Sequence, residues 1–315
     1  MPVKSLSVLL LAGLAAPTLA QSFGDDEDVG IQIAPEKEIR FFATGSADFY
    51  TAAQSRGRSG GELTSASIEA AITAAIPVDE LTDATLTFSH SSTGYDFDRF
   101  GSFGGGRTDP IDYGMQNSLT GTITHTFDPE WSIFGGARLA SSGEAGADFG
   151  DTLTYGGYVG LMYHVHQDLS IGLAVSGFSQ LEDDFTFFPV PTIRWQIDDY
   201  WRFVLGATSG AGRPGAEITY HLNDAWEVGG SITFDYKQFR LEEDNNQLPD
   251  GVFEDWSIPL MFITTWKPEP NLTVSGRIGA IVYREVSLRD TNEVRQGDAI
   301  LDPAFGIGIS AEYRF

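Results

Sequence analysis

The feature that most constrains the fold of this 315-residue chain is an alternation of apolar and polar residues that continues to its last position. Side chains of a β-strand point alternately to its two faces, so this alternation predicts strands with one apolar and one polar face. In the final segment, GIGISAEYRF, one face carries the following apolar residues: Ile307, Ile309, Ala311, Tyr313 and Phe315. Similar segments recur along the chain, and they predict about 14 strands, with about 12 as the alternative.

The connections between these segments are of two kinds, and the two kinds alternate along most of the chain. Short connections contain Asp, Asn or Pro and then a Trp or Leu: DPEW, HQDL, DDYW, NDAW and PEPNL. Long polar connections cover 95–112, 242–253 and 289–302. This asymmetry is typical of an all-β, antiparallel, up-and-down transmembrane β-barrel with short periplasmic turns and longer external loops. An even strand number places both chain ends in the periplasm.

The N-terminus predicts export of the chain. Residues 1–20 combine Lys4, an apolar run at 8–16 and a small-residue stop, which is the pattern of a secretory signal peptide. The apolar run is too short to span a membrane as a helix. The predicted organisation is therefore a signal peptide at 1–20, a short periplasmic segment at 21–38 and an outer-membrane barrel at 39–315.

Composition excludes several classes of protein. The formal net charge of −25 disfavours nucleic-acid binding, which requires basic surfaces. The absence of cysteine excludes disulfides, thiol nucleophiles and Cys metal sites. The histidines show no metal-ligand spacing, so we expect neither a cofactor nor a defined metal site. The acidic clusters 25–28, 181–184 and 242–244 are expected to be solvated; the alternative is weak binding of divalent cations that bridge to lipopolysaccharide phosphates.

Charged residues occur on the strand faces opposite the apolar stripes. Burying so many charges in a soluble core would cost too much free energy, whereas a wet barrel lumen tolerates them. The predicted lumen-lining charges are Arg40, Glu69, Arg138, Arg194, Arg202, Glu217, Glu227, Asp235, Arg277, Glu312 and Arg314. Trp131, Trp201 and Trp226 each open a strand after a short turn, as expected for an aromatic girdle at a membrane interface.

The aromatic C-terminus has a separate interpretation. Tyr313 and Phe315 share one face of the last strand, and the pair resembles the recognition signal read by the outer-membrane barrel insertion machinery. The expected partners are therefore this machinery, outer-membrane lipids and lipopolysaccharide.

One stretch of the second half resembles a known family. Residues 187–241 contain, in order, a Pro-x-Pro motif, a strand with Arg-Trp, a strand that begins with Trp and a strand that ends with Tyr. The likeness continues through KPEPNLTVSGRIG. These motifs resemble an uncharacterised family of bacterial outer-membrane barrels known only as a domain of unknown function. The resemblance implies a barrel and no particular activity.

Two classes of function follow from this reading. The first is a porin-like passive channel or a structural barrel without chemistry of its own. The second is a lipid hydrolase, because His90-x-Ser92-x-Gly94 resembles the His-x-Ser-x-Gly stretch of outer-membrane phospholipase A. Asn117 on the next strand would orient the imidazole of His90. The chain departs from that enzyme family at Thr93, where the family has Asn, so we expect a protein that is not an enzyme.

Overall fold

The computed structural model describes residues 38–56, 60–101, 103, 108–181, 183–207, 213–245, 247–292 and 294–315. The predicted signal peptide, nearly all of the predicted periplasmic segment and the acidic cluster 25–28 lie outside these residues. No helix within the described ranges is long and apolar enough to cross a membrane.

The described residues form sixteen strand segments. In chain order they are β1 (Arg40–Gln54), β2 (Glu62–Pro77), β3 (Thr82–Asp98), β4 (Tyr113–Asp128), β5 (Trp131–Gly143), β6 (Leu153–His166), β7 (Leu169–Gln180), β8 (Asp183–Gln196), β9 (Trp201–Ala207), β10 (Pro214–Asn223), β11 (Trp226–Thr233), β12 (Asp235–Arg240), β13 (Val252–Glu269), β14 (Leu272–Arg289), β15 (Arg295–Leu301) and β16 (Ala304–Arg314). A single-turn 3-10 helix, Phe149–Thr152, precedes β6.

The strands close into an antiparallel barrel of 14 strands, as the alternation predicts. Neighbouring strands pair in chain order from β1 to β11, then β13, β14 and β16, and β16 pairs with β1 to close the barrel. The remaining two segments are outer continuations of barrel strands. β12 extends β11 along β13, and β15 precedes β16 along β14.

The short turns are built by one repeated contact. Oδ1 of Asp128 accepts hydrogen bonds from the backbone amides of Glu130 and Trp131, both at 2.8 Å. Asp198 does the same for Tyr200 and Trp201, both at 2.8 Å. A carboxylate that satisfies the turn amides stabilises a tight connection, which explains why Asp stands three residues before Trp.

The barrel exterior is apolar and its interior is polar. Outward-facing side chains such as Ile68, Ile72 and Ile309 are more than half exposed, at 65%, 58% and 57%. Trp226 and Trp266 stack at the periplasmic end with ring centroids 6.0 Å apart. An apolar band flanked by aromatic rings is the exterior expected of a barrel in a bilayer, where a closed barrel satisfies its backbone hydrogen bonds.

The outer parts of β12, β13, β14 and β15 form a sheet that bends into the barrel; we call it the bent sheet. The bend coincides with Phe234 between β11 and β12, with a register shift at Pro259 in β13, and with Pro303 between β15 and β16. β12 reaches β5, pairing Arg240 with Gly143. Because β5 and β11 lie far apart in the barrel order, β12 must cross the interior to make this contact.

The bent sheet divides the outer half of the barrel into two compartments. Between the bent sheet and strands β1 to β4, apolar side chains pack into what we call the mouth cluster: Ala53, Leu63, Tyr95, Phe97, Phe100, Phe103, Ile111, Phe239, Leu241, Leu248, Phe253, Val286, Leu288, Ala299, Leu301 and Ala304. On the other side, the bent sheet faces β5 to β7 across a cavity of about 70 Å³.

The long external connections contribute to this packing. Phe100, Phe103 and Ile111 lie between β3 and β4, and Leu248 lies between β12 and β13, yet all four are buried. Residues 295–301, which the sequence places in a polar loop, form β15. The loops are therefore longer than the periplasmic turns, as predicted, but their apolar residues fold inward, which the sequence analysis did not foresee.

Candidate functional site: the barrel lumen

The predicted lumen charges lie on the inward-facing side of their strands, at different depths. Arg40 lies at the periplasmic end of its strand and is exposed to solvent. The structure groups part of the predicted set into two networks and leaves the other members, such as Arg194 and Glu312, along the wall.

The first network lies in the middle of the barrel and is centred on Arg213, which precedes β10. Its guanidinium contacts three carboxylates: Asp48 at 3.5 Å, Glu69 at 3.7 Å and Asp235 at 3.6 Å. Asp48 also accepts a hydrogen bond from Arg277 at 2.8 Å. We call this group, together with Lys237 beside Asp235 at 3.8 Å, the lumen network.

The lumen network crosses the barrel. Arg213 adjoins β10, whereas Asp48 and Glu69 lie on β1 and β2. Four barrel strands separate β10 from β1 on the shorter path around the wall: β11, β13, β14 and β16. A side chain that joins these walls must extend into the lumen, so the ion pairs of the network connect separate parts of the barrel wall across its interior.

Each charge of the lumen network is balanced by a partner, which is what makes its burial tolerable. The side chain of Asp48 is 3% exposed and lies between two guanidinium groups. Removing one partner of a buried ion pair leaves an uncompensated charge and is strongly destabilising. The network therefore depends on all of its members being present.

A second network lies near the periplasmic end. Glu227 is contacted by Lys267 at 2.7 Å, by His221 at 3.2 Å and by Arg202 at 3.6 Å. Arg202 and Glu227 belong to the predicted lumen set, and the structure adds Lys267 and His221. On β16 and β1, also at the periplasmic end, Arg314 lies over the ring of Phe42 at 5.4 Å, a cation–π contact.

Polar contacts also fix the bent sheet to the barrel wall. Arg284 holds Asp255 through two hydrogen bonds of 2.9 and 2.7 Å and donates to Ser65 of β2 at 2.9 Å. Tyr95 of β3 donates to Asp255 at 3.0 Å. Because a bidentate Arg–carboxylate pair is geometrically specific, this group fixes the position at which the bent sheet crosses the barrel.

The mouth cluster closes its compartment by aromatic packing. Phe253 lies 5.0 Å from Tyr95, 6.1 Å from Phe97 and 6.5 Å from Phe103, in edge-to-face arrangements. Gly114 of β4 lies under the ring of Phe239, where a Cβ atom would come within 2.5 Å of the ring. This close packing fills the space between the bent sheet and β1 to β4 with apolar side chains.

Glu144, which follows β5 outside the membrane-spanning segment, anchors the connection after β12. Its Oε2 accepts hydrogen bonds from the Glu242 amide at 2.9 Å and from Asn245 Nδ2 at 3.1 Å. Burial raises the pKa of this carboxyl, and these two hydrogen bonds offset only part of the rise. Glu144 thus holds part of the acidic cluster 242–244 in place.

The three residues of the hydrolase alternative lie on the outer surface of β3 and β4. His90 Nδ1 and Asn117 Oδ1 are 2.9 Å apart, as an orienting contact would require. Among the described contacts, however, none joins His90 to Ser92. The nucleophile–base hydrogen bond that activates a serine is therefore not formed.

Metal binding finds no support in the geometry of the described ranges. There, no group of three or more His, Asp or Glu side chains is arranged to hold an ion. Of the acidic clusters, 242–244 is described in full, and its Glu243 and Asp244 are exposed to solvent.

Sequence reasoning missed Asp48 and Arg213, for different reasons. Asp48 has the same strand parity as Arg40, so the alternation itself contained the signal. Arg213 lies in the segment GAGRPG, where turn-forming residues hide any periodicity. Its role depends on contacts with β1 and β2, which no local pattern reports.

The closed barrel, its apolar exterior and its charged interior define an integral β-barrel protein of the bacterial outer membrane. The chain belongs to the family described as Domain of unknown function (DUF6268), whose model matches residues 37–294. This confirms the resemblance seen at 187–241. No curated protein matches the chain.

Solved structures with a similar shape include outer-membrane channels. The COG4313 outer membrane channel from Pseudomonas putida F1 is 8% identical, with 92% of this chain and 100% of that chain covered and a TM-score of 0.46. A Pseudomonas aeruginosa FadL homologue is 10% identical, with 88% and 90% covered and a TM-score of 0.42. The NanC porin is 12% identical, with 85% and 98% covered and a TM-score of 0.33. Likenesses at this level do not specify a solute or an activity.

Proposed function

We propose that this protein is a non-enzymatic transport barrel whose axial path is held closed by the lumen network and opens when its ion pairs rearrange. The observation that carries the proposal is the reach of Arg213 from β10 to Asp48 and Glu69 on the opposite wall. The path runs through the compartment between the bent sheet and β5 to β7, because the mouth cluster fills the other compartment.

The chemistry of the obstruction favours transport over a purely structural role. If the barrel were purely structural, apolar side chains in its interior would stabilise it equally well. Apolar replacements of a buried ion pair are often neutral or stabilising. Ionisable groups within a membrane are costly and typically mark a solute path. Ion pairs also exchange partners without leaving a cavity, which suits a path that opens and closes.

The composition of the lumen network sets the expected selectivity. Asp48, Glu69 and Asp235 supply three carboxylates, which Arg213, Arg277 and Lys237 balance, so loss of the Arg213 charge leaves one carboxylate in excess. Rings of carboxylates select cations in a pore. Neutralising Arg213 should therefore leave a path that conducts and prefers cations.

Single-channel recording in planar bilayers tests the proposal. The wild-type protein should show weak or no conductance, and Arg213→Gln should show frequent, larger steps with cation preference. Arg40→Gln is the matched control, because Arg40 is exposed at the periplasmic end and is outside the network; it should behave like wild type.

The contrary result is a folded Arg213→Gln barrel that remains as silent as wild type. If Arg213→Gln alone does not fold, Arg213→Gln combined with Asp235→Asn removes one charge of each sign and carries the prediction of larger, more frequent steps, without the cation preference. Heat-modifiable migration on gels reports folding of each variant.

A further inference from the structure

The apolar outer surface of the barrel is interrupted by a polar patch on β3, β4 and β5. One row of paired, outward-facing residues on these strands, which we call the apolar row, has side chains that are about half exposed: Phe88, Leu119 and Leu139. The next outward-facing row on the external side is polar: His90, Asn117 and Ser141. Ser92 follows His90 on the same face of β3. We call these four polar residues the outer patch.

The outer patch lies near the external boundary of the apolar band. β3 begins at Thr82, beside a short periplasmic turn. From Thr82 to His90 the strand is about 27 Å long, which is roughly 20 Å in height at the usual strand tilt of about 35–45°. The apolar band of such barrels is about 25 Å tall. The patch therefore lies in the outer leaflet, close to the level at which acyl chains meet headgroups.

Apolar and aromatic side chains surround the outer patch. Ile68 on β2, which pairs with Ser92, is 65% exposed. Leu153 on β6, which pairs with Ser141, is also exposed. On the external side, the side chain of Tyr113 is 63% exposed. The polar groups therefore lie within an otherwise apolar surface and do not simply mark its upper edge.

Most hydrogen-bonding groups of the outer patch are not used within the protein. Nδ1 of His90 lies 2.9 Å from Oδ1 of Asn117, and Nδ1 is the donor because this oxygen can only accept. Nε2 of His90, Nδ2 of Asn117 and the hydroxyl of Ser92 have no hydrogen-bond partner among the described residues. Polar groups next to hydrocarbon cost free energy unless they are hydrogen-bonded. We therefore expect a molecule in the membrane to satisfy them.

The chemistry of the outer patch favours a sugar over a bare phosphate. Hydroxyl, amide and imidazole groups both donate and accept hydrogen bonds, as the groups of a sugar do. Phosphate recognition relies instead on Arg and Lys side chains, and the four residues of the patch include neither. The exposed ring of Tyr113 adds an apolar surface for the C–H face of a sugar ring, and the apolar row below suits acyl chains. A sugar that carries acyl chains matches both parts of this surface.

We propose that the outer patch binds the acylated sugar headgroup of one lipopolysaccharide molecule in the outer leaflet. The acyl chains lie against the apolar row, and the hydroxyl and amide groups of the sugar bond to Ser92, His90 and Asn117. The contact with Asn117 orients Nε2 of His90 toward the lipid rather than toward a nucleophile. The site is on the outer surface of the barrel, so it does not depend on the lumen network or on transport.

Competition between two lipids tests this site. The purified barrel in detergent is mixed with equal amounts of phosphatidylglycerol and of lipid A, the acylated glucosamine disaccharide of lipopolysaccharide. Native mass spectrometry then counts the lipids bound. Because both lipids carry phosphate, a preference reports the acylated sugar. The wild-type barrel should retain lipid A several-fold better, and Ser92→Leu combined with Asn117→Leu should remove this preference.

Thr264→Leu is the matched control. Thr264 is also an outward-facing, half-buried polar residue, but it lies on β13, where it pairs with Val228 and Gly276. This variant should keep the wild-type preference for lipid A. Each of these substitutions places leucine on the lipid-facing surface, so the variants should fold, and heat-modifiable migration on gels checks this.

Photo-crosslinking gives a second measurement with the four polar residues unchanged. Met115 pairs with Ser92 and faces outward, and the chain has no cysteine of its own. Met115→Cys therefore takes a benzophenone maleimide at a single position beside the outer patch. Phe262→Cys is the control, because Phe262 is outward-facing and half exposed on β13. Met115→Cys should capture lipid A several-fold more than Phe262→Cys does.

A wild-type barrel without a preference for lipid A, or a double variant that keeps the preference, would overturn the proposal. Equal capture of lipid A at the two cysteine positions would do the same. A Met115→Cys crosslink to a second copy of the chain, in place of lipid A, would make the patch a subunit contact and would also overturn it. None of these results depends on whether Arg213→Gln conducts.

Discussion

The two compartments on either side of the bent sheet differ in how their side chains fill them. The mouth cluster is a dense apolar core in which Phe100, Phe103, Phe253 and Leu288 have no exposed surface. The other side contains a cavity and glutamine side chains, and the ion pairs of the lumen network lie below the bend. Tight apolar packing resists any opening smaller than unfolding, whereas ion pairs can change partners. This difference supports the proposal that one compartment stabilises the barrel and that the other contributes to a solute path.

The largest expected effect concerns assembly, on which both compartments depend. The amide of Phe315 donates to the carbonyl of Phe41 at 2.9 Å, at the seam where β16 meets β1. The exposed rings of Tyr313 and Phe315 lie 5.0 Å apart. If they form the insertion signal, deleting Phe315 should leave the protein in the periplasm. Membrane fractionation and heat-modifiable migration measure this, and normally inserted protein would show that the signal lies elsewhere.

The next effect separates the mouth cluster from the lipid-facing surface. Phe253→Ala should lower the free energy of unfolding by about 3–5 kcal/mol, since it removes a buried ring and leaves a cavity. Phe88→Ala is the control, because its ring is 52% exposed to lipid and its loss leaves no internal cavity. Denaturant titration of the folded barrels measures both. Equal losses for the two variants would mean that the mouth cluster is not a core.

The lumen network should respond to charge balance rather than to volume. Asp48→Asn leaves Arg277 and Arg213 with less compensation and should cost about 3–5 kcal/mol. The double variant Asp48→Leu with Arg277→Met removes one charge of each sign and should be closer to wild type. The same denaturant titration compares the two. A double variant that is less stable than Asp48→Asn would contradict this description of the network.

The smallest expected effect is at the outward-facing His90 and Ser92. Ser92→Ala should change neither stability nor lipid turnover, because no described contact activates its hydroxyl. Assays of phospholipid hydrolysis with and without Ca²⁺ measure this directly. Ser92-dependent hydrolysis would revive the enzyme alternative, since loss of a nucleophile removes most of the rate.

The sequence is sufficient to predict the barrel but not what lies inside it. Alternation, the Asp-to-Trp turns and the loop asymmetry are local signals, and they predict 14 strands and an outward apolar face. The bent sheet depends on contacts between residues far apart in the chain, such as Arg284 with Ser65 and Arg240 with Gly143. The same alternating pattern serves a strand in the wall and a strand inside the barrel, so periodicity cannot distinguish them.

The residues of the lumen network likewise divide into those that the sequence predicts and those that it does not. Glu69, Asp235 and Arg277 follow from strand parity, as Asp48 would have. Arg213 does not, because its position depends on where β10 begins relative to β1 and β2.

The most direct test of closure by the lumen network is a side-by-side recording of Phe253→Ala and Arg213→Gln in planar bilayers under one salt gradient. The proposed closure predicts cation-preferring steps from Arg213→Gln, because this variant removes the crossing guanidinium and leaves one carboxylate in excess. It predicts no gain from Phe253→Ala, whose compartment stays filled by the rest of the mouth cluster. Conductance that appears in Phe253→Ala and not in Arg213→Gln would contradict it.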